Sequence, residues 1–189
     1  YFCSMKVIEG EIYHVYNRGN QKQQLFFEER NYKYFLAKMT EYLTPVTDIL
    51  AWTLMPNHFH FLIHATKICA ALIYDRQLPI SNFSEALRLM QCTYTKGFNA
   101  QYEKSGNLFH QKFKSRIMED DKQENARNVL HYIHGNAEKA GLVTRPEDWA
   151  FSSFHEYLNP ELTGFCNKEL AMQLLDLTRQ DILLGAIGV

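Results

Sequence analysis

His58-Phe59-His60 places two imidazoles two residues apart inside the apolar run Trp52-Thr53-Leu54-Met55-Pro56-Asn57-His58-Phe59-His60-Phe61-Leu62-Ile63-His64. In a β-strand alternate side chains share a face, so His58 and His60 would project the same way, about 7 Å apart along the chain. Two imidazoles converging there can bind one metal ion. Phe59, Phe61 and Ile63 would then face a core and hold the register, because a slip of one residue would bury the histidines instead. An exposed strand whose histidines meet only water satisfies the same pattern.

A second group of reactive types stands at His131-Tyr132-Ile133-His134-Gly135-Asn136. On a helix Tyr132 and Asn136, four residues apart, share one face. The Asn136 amide oxygen is a hard ligand able to join two imidazoles around magnesium or manganese. The Tyr132 hydroxyl is a candidate nucleophile. A phenol with a pKa of about 10 attacks poorly at neutral pH unless a metal polarises its target. The plainer reading makes Tyr132 a core residue and Asn136 a helix-end cap.

Between the two groups, Arg88 to Arg116 holds six positive residues (Arg88, Lys96, Lys104, Lys112, Lys114, Arg116) against the single acid Glu103, interleaved with Tyr94, Phe98, Tyr102, Phe109 and Phe113. Cations meet phosphates and aromatic rings stack on unpaired bases, so this distribution suits single-stranded nucleic acid. A solvated helix face with a few core aromatics accounts for it equally well.

The elements that must position these groups follow from periodicity. Glu11 to Tyr16 alternates as a strand and turns at Asn17-Arg18-Gly19-Asn20. Glu28 to Tyr42 has apolar residues three and four apart and is stopped by Pro45, which predicts a helix. Val46 to Leu54 and the histidine strand form a hairpin about Pro56-Asn57. A second helix opens at Pro79-Ile80-Ser81 and buries Phe83, Ala86, Leu87, Met90, Tyr94 and Phe98. Phe109 to Met118 reads as a basic strand, and Asp120-Asp121 begins a third helix that reaches Gly141, acids suiting a helix start and glycine a stop. A last amphipathic helix spans Lys168 to Leu184. The order strand, helix, strand, strand, helix, strand, helix predicts an α+β fold with helices packed on an antiparallel sheet.

The 189 residues are 46% hydrophobic and 14% aromatic, which is enough for a substantial core and excludes disorder over most of the length. A net charge of −1 carries no overall signal for nucleic acid. No apolar stretch reaches the roughly 18 residues of a membrane helix, and Tyr1 to Lys6 lacks a signal-peptide layout, so a cytoplasmic protein without a membrane partner is expected. Cys3, Cys69, Cys92 and Cys166 are scattered and fit neither a disulfide framework nor a zinc knuckle.

Tyr13-His14-Val15-Tyr16-Asn17-Arg18-Gly19, His58-Phe59-His60 and Tyr132-Ile133-His134-Gly135-Asn136 occur in the order found in the single-tyrosine HUH transposases, which the chain resembles. Within them it looks most like the REP-associated tyrosine transposases, through Gly106-Asn107-Leu108-Phe109-His110-Gln111-Lys112-Phe113-Lys114-Ser115, Ala140-Gly141-Leu142-Val143 and Pro146-Glu147-Asp148-Trp149-Ala150-Phe151-Ser152-Ser153. The resemblance covers roughly residues 10 to 157. It implies a ferredoxin-like (RRM-like) HUH endonuclease fold over residues 1–157, with 158–189 as a helical extension.

By the same resemblance His58 and His60 match the metal ligands, Asn136 the polar third ligand, and Tyr132 the nucleophile. The cofactor would be Mg²⁺ or Mn²⁺. The reaction would be cleavage and rejoining of single-stranded hairpin DNA through a 5′-phosphotyrosine, in DNA transposition or mobilisation of repeated extragenic elements. Arg18, Lys112, Lys114 and Arg116 are the expected backbone contacts, and a homodimer exchanging the tyrosine helix is one possible assembly. Gly135 and Ala137 stand where the family commonly has leucine and proline, and a helical glycine costs roughly 1 kcal/mol.

Two other functions fit parts of the pattern. One is a catalytically silent protein that still grips hairpin DNA. The other is a nucleotide hydrolase built on His58, His60 and His64, which would want a histidine at the alternate position held by Leu62 and has no use for Tyr132.

Overall fold

The computed structural model describes residues 5–74, 78–118 and 122–187. In chain order its elements are β1 (Ile12–Arg18), α1 (Glu29–Tyr42), β2 (Asp48–Met55), β3 (His58–His64), α2 (Lys67–Ala70), β4 (Leu72–Ile73), β5 (Ile80–Ser81), α3 (Asn82–Gln101), β6 (Lys114–Ile117), α4 (Lys122–Lys139), α5 (Phe154–Leu158), α6 (Lys168–Leu175) and α7 (Arg179–Ile187). Four strands form an antiparallel sheet in the order β2-β3-β1-β6. That is the strand order of a ferredoxin-like βαββαβ unit, and it makes β1 and β3, the two motif-bearing strands, direct neighbours.

Local chemistry accounts for the elements. Glu28 and Asn31 close a capping box at the start of α1, and Tyr32, Phe35 and Met39 form its buried stripe. The Ser81 hydroxyl accepts from the Ser84 amide at 3.2 Å and starts α3, whose buried face is the expected one. Pro56 and Asn57 turn β2 into β3, and the Pro56 carbonyl, free of any ladder, accepts the amides of Leu25 at 2.7 Å and Phe26 at 3.1 Å.

Strand alternation divides the interior into two cores. Tyr13, Val15, Phe59, Phe61 and Ile63 face α1 and α3 and join the larger one. Ile12, Leu50 and Leu62 face the other way, against Ala126, Leu130 and Ile133 of α4 and Ala171, Leu175 and Ile182 of α6 and α7. The histidine face is therefore roofed by α4 over the part of β3 around Leu62 and open toward His58. No helix of the described residues is long and apolar enough to cross a membrane.

Two expectations are corrected. The basic strand is only Lys114–Ile117, because Leu108, Phe109 and Phe113 all sink into the larger core and break the alternation. The loop before it is tied to the end of β1 instead, His110 N donating to Arg18 O at 2.8 Å and Asn20 N to Leu108 O at 2.9 Å. The final helix is two helices, broken at Asp176 in the left-handed region (φ 48°) and restarted where Thr178 and Asp181 cap each other. Thr178-Arg179-Gln180-Asp181 has the spacing of a capping box, the signal that marks the break. The expected helix start at Asp120-Asp121 lies outside the described residues. At Gly135, within α4, a side chain would approach the Ala186 carbonyl to 3.2 Å, so the glycine lets α7 pack closely.

Candidate active site

The antiparallel register aligns Tyr16 with His60 and Arg18 with His58 on one side of β3, and Tyr16 with Lys114 and His14 with Arg116 on the side of β6. All of these side chains stand on the face that α4 half covers. The His58 and His60 rings have centroids 5.0 Å apart at 89°, a convergent pair. From α4, the Tyr132 ring lies edge-on to His60 at 5.3 Å and to His14 at 6.3 Å. Asn136, one turn further and only 6% exposed, stands beside His58. The four residues read from sequence as reactive thus meet within one chain, and no second copy is required to complete the group.

Each strand histidine has its Nδ1 engaged. The Asn57 Oδ1 accepts from His58 Nδ1 at 2.7 Å, which leaves the lone pair on Nε2. His60 Nδ1 lies 2.9 Å from His14 Nε2, and with His60 as donor its Nε2 is likewise free. Such a partner on the far nitrogen is the usual support of a metal-binding histidine. Burial, with His14 and His58 nearby, pushes the His60 pKa down to about 2. Burial and the Arg116 charge bring His14 to about 4. Burial lowers His58, opposed by the neighbouring Asn136 amide. All three are neutral at pH 7, the state in which an imidazole can ligate.

Among the described residues no three histidine, cysteine or carboxylate side chains are grouped to hold a metal. The set that fits a divalent cation is the mixed one, His58 Nε2, His60 Nε2 and the Asn136 amide. It carries no negative charge. A cation there would keep its full charge for an anionic substrate, as Mg²⁺ sites that rely on phosphate oxygens do.

These groups open into a cleft of about 530 Å³ lined by Tyr16, Arg18, Lys22, His58, His60, His110, Lys112, Lys114 and Tyr132, among others. Three of the four expected backbone contacts, Arg18, Lys112 and Lys114, line it. Arg116 stands one step further along β6, beside His14. The Lys114 ammonium sits 5.9 Å over the Tyr16 ring. Sequence reasoning gave no role to His14, Tyr16, Lys22 or His110. For His14 and Tyr16 the signal was present, since they alternate with Arg18 on β1 just as His58 alternates with His60.

The remaining histidines are placed by packing. His64 Nδ1 faces Asp48 Oδ2 at 3.3 Å, cut off from His60 by the fully buried Leu62, so a three-histidine site on β3 does not form. His134 is buried between Phe154 and Tyr157 with Nε2 2.9 Å from the Ser153 hydroxyl. His131 packs against Gly185 of α7, where a side chain would collide with its ring.

No family model matches the chain. It is similar to a protein of Haemophilus influenzae that is named, provisionally, a REP-associated tyrosine transposase, with 27% identity over 124 residues, 61% of this chain and 63% of that protein. The match thus spans less than two-thirds of that relative. Among solved structures the chain is similar to a REP-associated tyrosine transposase bound to a REP hairpin, with a TM-score of 0.60, 19% identity, and coverage of 86% of this chain and 88% of that one. A bacterial tRNA(His) guanylyltransferase-like protein in complex with GTP follows at a TM-score of 0.46 and 13% identity, covering 72% and 66%. The α+β fold with its antiparallel sheet is that of the hairpin-bound transposase structure, and the resemblance to REP-associated tyrosine transposases is borne out in sequence and in fold.

Proposed function

We propose that this chain cleaves and rejoins single-stranded DNA next to a hairpin, with Tyr132 as nucleophile. The observation that carries the reading is the meeting of Tyr132 and Asn136 from α4 with His58 and His60 from β3 in a cleft rimmed by Arg18, Lys112 and Lys114. A neutral, convergent ligand set beside a phenol and a row of cations matches what phosphoryl transfer needs, which is positioning and charge stabilisation. The naming of the Haemophilus relative and the hairpin bound by the structural relative point to the same class of substrate.

In this reading His58, His60 and Asn136 would hold a divalent cation, Mg²⁺ or Mn²⁺, which would supply charge to polarise the scissile phosphate. Arg18, Lys112 and Lys114 grip the DNA backbone, with Arg116 extending the track along β6. The Tyr132 oxygen attacks phosphorus in line. The P–O3′ bond breaks as the P–O(Tyr) bond forms, the phenolic proton passes to solvent, and the departing 3′ oxygen takes up a proton. The 5′-phosphotyrosine conserves the bond energy, so the 3′-hydroxyl of the same or another strand can reverse the step without ATP. The role is that of a transposase in moving DNA or mobilising repeated extragenic elements. Residues 1–157 form the catalytic domain, with 158–189 as a helical extension on the α4 side of the sheet. A single chain suffices, because Tyr132 already lies beside His60.

The test is covalent trapping. Incubation with a labelled hairpin carrying single-stranded flanks, in Mg²⁺ or Mn²⁺, is expected to give an SDS-stable adduct that is absent in Tyr132→Phe and in the presence of EDTA. Hairpin binding without any adduct, across flanks from the source genome, would instead support a silent DNA-binding protein.

A further inference from the structure

A second cavity, of about 430 Å³, lies between α3 and the loop that precedes β6, and His110 lines both it and the catalytic cleft. Building on the single-strand reading above, we propose that this cavity is a nucleobase pocket, which takes one unpaired base of the strand whose backbone lies in the cleft. Four observations carry this.

The first is continuity. A strand leaving the cleft past Lys112 meets His110, and beyond His110 the surface opens into the cavity. The second is construction. Asn17 is buried on β1 and donates from one amide to Gln91 Oε1 at 2.7 Å and to the His110 carbonyl at 3.1 Å. It thereby ties a wall of the cavity and the divider to the strand whose next residues, Tyr16 and Arg18, line the cleft. The two spaces are held in fixed relation by one buried side chain.

The third observation is the chemistry of the lining. Leu108 and Phe109 are buried apolar surface suited to the flat face of a base. The side-chain amides of Asn107 and Gln111 are exposed and make no hydrogen bond within the described residues. Each offers a donor and an acceptor, the combination needed for the Watson–Crick or Hoogsteen edge of a splayed base. The fourth is charge. The lining contains Lys96 and no carboxylate, so it attracts a phosphodiester and repels none. The volume lies in the range of small-ligand pockets and exceeds what a single base requires.

The experiment measures affinity by fluorescence anisotropy for a hairpin with unpaired flanks, in which each flanking nucleotide in turn is made abasic. For the wild-type chain, one abasic position is expected to weaken binding about tenfold, the scale of one stacked base. Two variants close or disarm the pocket: Cys92→Phe fills it, and Asn107→Ala/Gln111→Ala removes exposed amides without touching the core. In both, intact DNA should bind about as weakly as the abasic DNA does to wild type, and the penalty at that position should vanish. Wild-type affinity and an unchanged abasic profile in the double variant would overturn the pocket, even where Tyr132-dependent adduct forms as before. A folded wild-type chain that binds no hairpin at all would overturn both readings.

Discussion

The Nε2 atom of His14 lies 2.9 Å from the Nδ1 atom of His60, so a histidine of β1 holds the ring of a histidine of β3 from behind. His60 Nε2 is thereby the nitrogen left to face the cleft and Tyr132. His14→Ala is expected to weaken Mn²⁺ binding by roughly ten- to a hundredfold, the usual cost of losing such a support. His14→Gln, whose amide oxygen can accept the same hydrogen bond, should recover part of it. Calorimetric titration with Mn²⁺ in the absence of DNA reads both. Equal affinity in wild type and His14→Ala would exclude the role.

Acid lability is expected from the buried imidazoles. Burial lowers His134 to about 3 and His14 to about 4, against 6.5 for each in an unfolded chain. The unfolded state therefore takes up protons below pH 6.5 that the folded state refuses. Stability is full above pH 6.5 and falls as the pH drops toward 4, by roughly 1 kcal/mol per pH unit for each such histidine. Urea midpoints measured from pH 7.5 to 4.5 should show this slope, and His134→Gln should flatten it.

The cations of β6 and β1 should act through phosphates alone. Lys114→Ala and Arg18→Ala are each expected to weaken hairpin binding irrespective of sequence and to reduce the salt dependence by about 0.7 in log–log slope, one single-strand phosphate contact apiece. Binding isotherms from 50 to 300 mM NaCl decide it. A change in sequence preference with an unaltered slope would assign these side chains to bases instead.

The larger core is tied to the C-terminal segment by a buried carboxylate. Glu156, 3% exposed, accepts from Trp52 Nε1 at 2.8 Å and from the Cys166 amide at 2.8 Å, and joins β2 to the segment between α5 and α6. Glu156→Ala strands the buried Trp52 donor and the half-buried Cys166 amide and should destabilise the fold by about 2–4 kcal/mol, read from urea unfolding followed by tryptophan fluorescence. Metal affinity of the folded fraction should stay within twofold of wild type, because Glu156 lies away from the cleft.

The local periods of the chain carried most of the fold. Phe59, Phe61 and Ile63 alternate with His58 and His60, and one register alone buries the former and leaves the latter together. The 3.6-residue stripes of α1, α3 and α4 marked the apolar face that each helix must bury. The same rule put Tyr132 and Asn136 on one face of α4. What periodicity cannot supply is which face of the sheet that helix covers and how far along the strands it reaches.

Those choices were made by tertiary packing. Leu62, Ile12 and Leu50 are buried against Ala126, Leu130 and Ile133, and this packing, with that of α6 and α7, seats α4 where Tyr132 stands beside His60 and Asn136 beside His58. His14 gained its partner in the same way, through the pairing of β1 with β3, a contact across 46 residues that no local window contains. The short β6 and the broken C-terminal helix diverged from their patterns because burial of the adjacent Leu108 and Phe109, and the capping of Thr178, outweighed alternation and amphipathicity. Sequence determined which side chains could do chemistry. Burial of the apolar residues between them decided which ones meet.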